Sequence, residues 1–176
     1  MANRTDILVE NLRETLKAAH TYLLTGYGAA LFLLLLAMQG KLAPSAKEEE
    51  LNIPFVGLSA PTFSAALVAF AICVLSGCVA LRFFLHSNNM EKQFIDPDTK
   101  ELPDAILTYP SLLTLRSWTS VLAALGPGIL LTGALTLAFY SVQGFSGGLC
   151  AGAFFSLPYL VLAVLVWCRP LTQRSR

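Results

Sequence analysis

The chain has 176 residues, of which 55% are hydrophobic and only 13% charged, with a formal net charge of +1 and a mean hydropathy of +0.63. That composition lies far from the soluble average and assigns the chain to the membrane class. It argues against a direct nucleic-acid partner, since the twelve Lys and Arg are scattered and not clustered into one basic surface.

Residues 1–17 are polar, and no cleavable secretory signal is evident because the first apolar run is too long and lacks a small-residue cleavage site. Leu8, Leu12 and Leu16 recur at helical spacing, with Arg4, Asp6, Glu10, Arg13, Glu14 and Lys17 on other faces. This pattern predicts an amphipathic helix leading straight into the membrane. Its mixed charges make attraction to anionic lipid weak, and packing against another protein helix is at least as good a use for the leucine face.

Residues 18–40 carry no Asp, Glu, Lys or Arg, and about 20 apolar residues suffice to cross a hydrocarbon core roughly 30 Å thick. This is the first predicted span, with Tyr22 and Tyr27 toward its beginning and Gly26 and Ala30 four apart on one face. Residues 41–60, with Pro44, three consecutive glutamates and Pro54, read as an outer loop. Pro61 disfavours helix before it, so the second span covers 61–81, with Ala69, Cys73 and Gly77 in a line of small side chains.

Residues 82–116 turn polar, and Asp96-Pro97-Asp98 is a turn signal. An extension of the second helix, a turn and a helix leading back to the membrane near Ser111 are expected. From Ser117 to Cys168 there is again no charged side chain, and the run is too long for one crossing. It divides at 143–147 into spans 117–142 and 148–168, followed by a basic tail, 169–176. Pro127 is expected to kink the third span or to mark its start, and Pro158 to bend the fourth. Gly128 in the third span and the Gly148/Gly152 pair in the fourth offer close-packing faces.

The fold expected is therefore an all-α integral membrane protein, a bundle of four transmembrane helices with an N-terminal amphipathic cytoplasmic helix. Ten of the twelve Lys and Arg fall on one side of it, which the positive-inside rule makes the cytoplasm, giving cytoplasmic termini in a bacterial inner membrane.

Chemistry is sparse. The spans hold none of the charged residues that coupled transport requires. The four cysteines, Cys73, Cys78, Cys150 and Cys168, lack zinc-site spacing, and His20 and His86 are two ligands without a third. The acidic group Asp96, Asp98, Glu101 and Asp104 lacks the spacing of a calcium loop. No catalytic group, metal site or cofactor site is expected. Two functions compete. One is a non-catalytic subunit that oligomerises through its small-residue faces and anchors or signals to a cytoplasmic protein through Leu8, Leu12, Leu16, Asp96 and Asp98. The other is a homo-oligomeric pore or membrane-disrupting effector, suited to a bacterial antiphage system, in which Thr21, Thr25, Gln39, Ser76, Thr119, Thr132 and Thr136 line a water path. A small transporter ranks below both.

Overall fold

The computed structural model describes residues 4–42, 50–53, 58–91 and 118–168. The first two expected segments form one unbroken helix, α1 (Arg4–Met38), because nothing between the polar start and the apolar run breaks helical hydrogen bonding. Gly40 ends it in a left-handed conformation (φ 72). The Gly40 amide donates to the Ala37 carbonyl at 2.9 Å and the Lys41 amide to the Leu36 carbonyl at 3.0 Å, the paired bonds of a Schellman cap.

The region expected to be plain loop contains a two-stranded hairpin, β1 (Glu50–Ile53) and β2 (Leu58–Pro61). The strands are antiparallel, with Ile53 opposite Leu58 and Glu50 opposite Pro61. Proline lacks an amide proton and is tolerated at a strand end. Helix α2 (Thr62–Glu91) starts directly after it and continues ten residues past the uncharged stretch. The Asp96–Glu101 turn, the Ser111 helix start and the basic tail lie outside the described residues.

Between Trp118 and Phe155 the backbone is helical except at Gly144 (φ 70, ψ −179). The expected loop over 143–147 is thus reduced to a reversal at one glycine, which separates α3 (Trp118–Tyr140) from α4 (Gly144–Phe155). Helical dihedral angles continue through Pro127, where a kink or a boundary was expected. Helix α5 (Leu157–Cys168) leaves α4 at a 58° bend, centred on Ser156 and completed by Pro158, whose ring has no room beside the carbonyl four residues earlier in a straight helix.

Helices α1, α2 and α3 are each long and apolar enough to cross a membrane, and α4 with α5 adds a further span if the bent pair is taken as one. Large apolar side chains such as Leu24, Leu31, Phe63, Leu75, Ile129 and Leu160 point outward, a surface suited to lipid and not to water. Apart from the short hairpin, the described residues are helical, and their long apolar helices make this a helical membrane protein.

Packing is fixed by named contacts. Helices α1 and α2 run antiparallel, with Tyr22 and Phe83 stacked at 5.8 Å between ring centroids. Helix α3 runs parallel to α1, with Tyr27 against Gly126 and Leu34 against Gly133. Both pairs differ by 99 in residue number, so Trp118 is level with Ala19. The first fifteen residues of α1, Arg4 to Ala18, therefore continue beyond α3's first described turn, accompanied by the last turns of α2. The bent pair runs back along α3. Gly148 meets Thr136, Gly152 meets Thr132, Gly128 meets Ser156, and Trp167 meets Trp118 at 4.8 Å between centroids.

Candidate functional site

A run of hydroxyls occupies the middle of this otherwise apolar bundle. Tyr159, in the first turn of α5, is fully buried because the bend at Ser156 swings that turn toward the other helices. The new helix is seated on Ser156, whose carbonyl accepts from the amides of Tyr159 at 3.0 Å and Leu160 at 3.1 Å. The Tyr159 hydroxyl donates to the Cys73 carbonyl of α2 at 2.5 Å. It lies 3.1 Å from Ser76 Oγ and 3.7 Å from Cys73 Sγ. The Cys73 thiol reaches on to the Gly26 carbonyl of α1 at 3.7 Å.

Tyr159 thus touches each of the other three principal helices, and glycine makes the room. A Cβ at Gly26 would collide with the Tyr159 hydroxyl, one at Gly77 would stand 2.8 Å from the ring, and one at Gly128 3.1 Å from the Tyr159 Cβ. In hydrocarbon an unpaired hydroxyl has no water to turn to, so its partners must come from the protein.

A second tyrosine solves a problem set by proline. Pro127 has no amide proton, so the carbonyl of Ala123, four residues earlier, loses its helical donor. The Tyr27 hydroxyl of α1 donates to that carbonyl at 2.9 Å, and Gly126 leaves the space through which the ring approaches. Tyr27→Phe is expected to cost about 1–2 kcal/mol, the penalty of a buried carbonyl left unsatisfied. In a Pro127→Ala background the restored amide takes that carbonyl, and the cost should fall to a few tenths. Equilibrium unfolding of the four proteins in detergent, read as a double-mutant cycle, checks this.

A third cluster ties the bend to α3. Ser156 Oγ donates to the Gly128 carbonyl at 2.8 Å, Thr132 Oγ1 lies 2.9 Å from the same oxygen, and the two hydroxyls are 3.0 Å apart.

The eight residues expected to pack helices, Gly26, Ala30, Ala69, Cys73, Gly77, Gly128, Gly148 and Gly152, are all buried inside the single chain. None of them offers a surface to a second copy. Leu12 and Leu16, expected on a partner-binding face, are fully buried against Val9 and Met90, so the end of α2 already covers that face. The Leu8 side chain, Asp96 and Asp98 lie outside the described residues. The hydroxyls proposed to line one path are divided. Thr21, Thr25 and Thr119 face outward as does Gln39, while Ser76 and Thr136 are buried. Thr21 and Thr25 donate to their own backbone four residues earlier.

Tyr27 and Tyr159 are what sequence reading missed. Tyr27 was placed only toward the beginning of the first span, and its role is signalled by a proline inside a span, which leaves a carbonyl in need of a donor. Nothing in the sequence pointed to Tyr159. Among the described residues no group of three or more His, Cys, Asp and Glu is placed to hold a metal. His86 lines a groove with Ala18, whereas His20, two residues on from Ala18, lies about 200° around α1.

No family model matches this chain, and neither a curated protein nor a solved structure matches it. The site is a set of hydroxyl, thiol and carbonyl contacts that join α1, α2, α3 and α5, suited to holding helices in register.

Proposed function

We propose that this chain is a non-catalytic, four-span subunit of the bacterial inner membrane that presents the projecting ends of α1 and α2, with residues 82–116, to a cytoplasmic protein. The observation that carries the reading is an asymmetry. The bundle interior is filled by side chains, from Leu23 and Leu131 to Tyr159 and Leu162, while α1 and α2 continue beyond the first described turn of α3 at the end where most charged residues fall. A closed interior suits a scaffold better than a conduit, and a charged end suits contact with a soluble partner.

Four crossings are supported by the direction of the bent pair, whose contacts with α3 run from Thr136 to Trp118. A re-entrant loop would return to the end at which it started. The cytoplasmic placement of both termini rests on the distribution of Lys and Arg. A C-terminal green fluorescent protein fusion is expected to fluoresce, and an alkaline phosphatase fusion at the same point to be inactive; the reverse pattern would invert the topology. Partner binding is tested by photo-crosslinkers at Glu10, Glu14 and Asp98 in cells. A discrete protein adduct is expected from at least one of them, and a chain that stays free at all three positions would sink the proposal.

A further inference from the structure

On the projecting α1–α2 pair lies an open groove of about 410 Å³, lined by Asn11, Glu14, Thr15 and Ala18 of α1 and by Phe83, His86 and Met90 of α2. Its side of the bundle follows from helical spacing. Tyr27 and Leu34 mark the side of α1 that meets α3, and His20 and Arg13 continue that line in steps of seven. Asn11, Thr15, Ala18 and Tyr22 are each two residues from Arg13 or His20, about 200° around the helix. The groove therefore opens away from α3.

Its depth is set by where charge begins. Ala18 opens the uncharged stretch of α1, and Arg82, next to Phe83, closes that of α2. At the inner end of the groove Phe83 stacks on Tyr22. From Ala18 outward to Asn11 the groove rises about 10 Å, enough to cover the headgroup layer, which is roughly 5–8 Å deep on each side of the hydrocarbon core. A cleft at that level, on the side of the described helices away from α3, stands in the headgroup layer.

The chemistry of the lining selects among them. The Thr15 hydroxyl already donates its proton to the Asn11 carbonyl at 2.7 Å, so toward any ligand it has only lone pairs to offer. With the Glu14 carboxylate and the Asn11 side-chain carbonyl it makes an acceptor-rich wall, opposite Phe83, His86 and Met90 of α2. Such a wall calls for a cation with protons to donate. The exposed guanidinium of Arg82, one helical turn inward from His86, supplies the complementary charge for a phosphate. Arg82 and the aromatic pair thus stand together at the inner end of the groove and the Glu14 carboxylate toward its outer end, so a phosphate met by Arg82 is nearer the acyl chains than an ammonium met by Glu14.

We propose that this groove is a binding site for a phospholipid bearing a primary ammonium, an ethanolamine-type headgroup, with the ammonium on Glu14, Asn11 and Thr15 and the phosphate on Arg82. A choline headgroup has the same charge but no N–H to donate, which makes it the discriminating competitor. The site needs neither the partner nor the orientation proposed above, so its failure would leave that reading standing.

The test is lipid retention by the purified full chain, equilibrated in mixed micelles with equal phosphatidylethanolamine and phosphatidylcholine and read by native mass spectrometry. The wild type is expected to retain ethanolamine lipid over choline lipid by about fivefold, a typical margin for a few charge-assisted hydrogen bonds at a half-wet site. Glu14→Gln and Asn11→Leu should bring the ratio close to parity. Glu10→Gln should change it less than Glu14→Gln, because Glu10 stands one turn away from Glu14, is not among the residues that line the groove, and engages Arg13 at 3.9 Å. Parity in the wild type, a preference that survives Glu14→Gln, or an equal loss in Glu10→Gln would each overturn the proposal. So would a polypeptide crosslinked within the groove of wild-type protein that shows no headgroup preference.

Discussion

Tyr159→Ala is expected to lower the stability of the folded bundle by about 3–5 kcal/mol, the range for deleting a large buried aromatic side chain. The loss is of two kinds. Most of it is packing, because between helices in lipid the attraction comes from close van der Waals contact and not from exclusion of water. The rest is the hydroxyl, which Tyr159→Phe isolates at about 1 kcal/mol, the usual worth of an interhelical hydrogen bond in a membrane protein. Both are read from unfolding titrations in mixed micelles. Gly77→Ala provides an internal check. It should be costly in the wild type, where the new methyl would stand 2.8 Å from the Tyr159 ring, and close to neutral once that ring is gone. A cost for Gly77→Ala that is the same in both backgrounds would mean that Tyr159 does not occupy the space the glycine leaves.

The second large effect is expected where α4 lies against α3. A Cβ at Gly152 would be 2.7 Å from Thr132 Cα, and one at Gly148 would be 2.7 Å from Thr136 Cα and 3.0 Å from the Leu135 carbonyl oxygen. These are backbone atoms, so the helices themselves must move apart. Gly152→Ala and Gly148→Ala should each cost about 1–3 kcal/mol, as overpacked sites do. Gly152→Leu should cost more than either, since separating the helices there also pulls Ser156 Oγ away from the Gly128 carbonyl. Gly28 is the control, because nothing lies within 4 Å of a Cβ built on it. If Gly28→Ala were as damaging as Gly152→Ala, close approach of the helices would not be the cause. Yield of monodisperse protein and thermal stability in detergent distinguish these outcomes.

What the sequence made legible follows from the kind of physics each feature obeys. Long apolar helices were readable because charge is costly in hydrocarbon whatever surrounds it, and the reversal falls at Gly144, inside the segment where the long uncharged run was divided. The start of α2 at Thr62 was readable from Pro61, a local steric effect. Small residues marked where helices approach, but not which helix comes near. The spacing of Gly148 and Gly152 says nothing of Thr136 and Thr132, which are supplied by the reversal at Gly144. The hairpin escaped notice because strand pairing depends on register between 50–53 and 58–61, and neither piece has a strong pattern alone. Tyr159 escaped for a related reason. Its burial depends on the direction of a bend, and a proline announces that a helix turns without saying toward what. Leu12 and Leu16 were legible as an apolar stripe, yet the cover for that stripe came from the continuation of α2 past the membrane-spanning stretch.

The contact between Tyr27 and Ala123 bears on how the chain enters the membrane. The carbonyl that Pro127 strips of its donor belongs to the third helix, and the hydroxyl that replaces the donor belongs to the first. A chain made from its N-terminus has the hydroxyl in the bilayer before the proline-bearing segment leaves the ribosome. Synthesis in this order spares α3 from lodging alone in lipid with an open carbonyl, whereas a rearranged chain beginning with α3 would have to insert that segment before its partner existed.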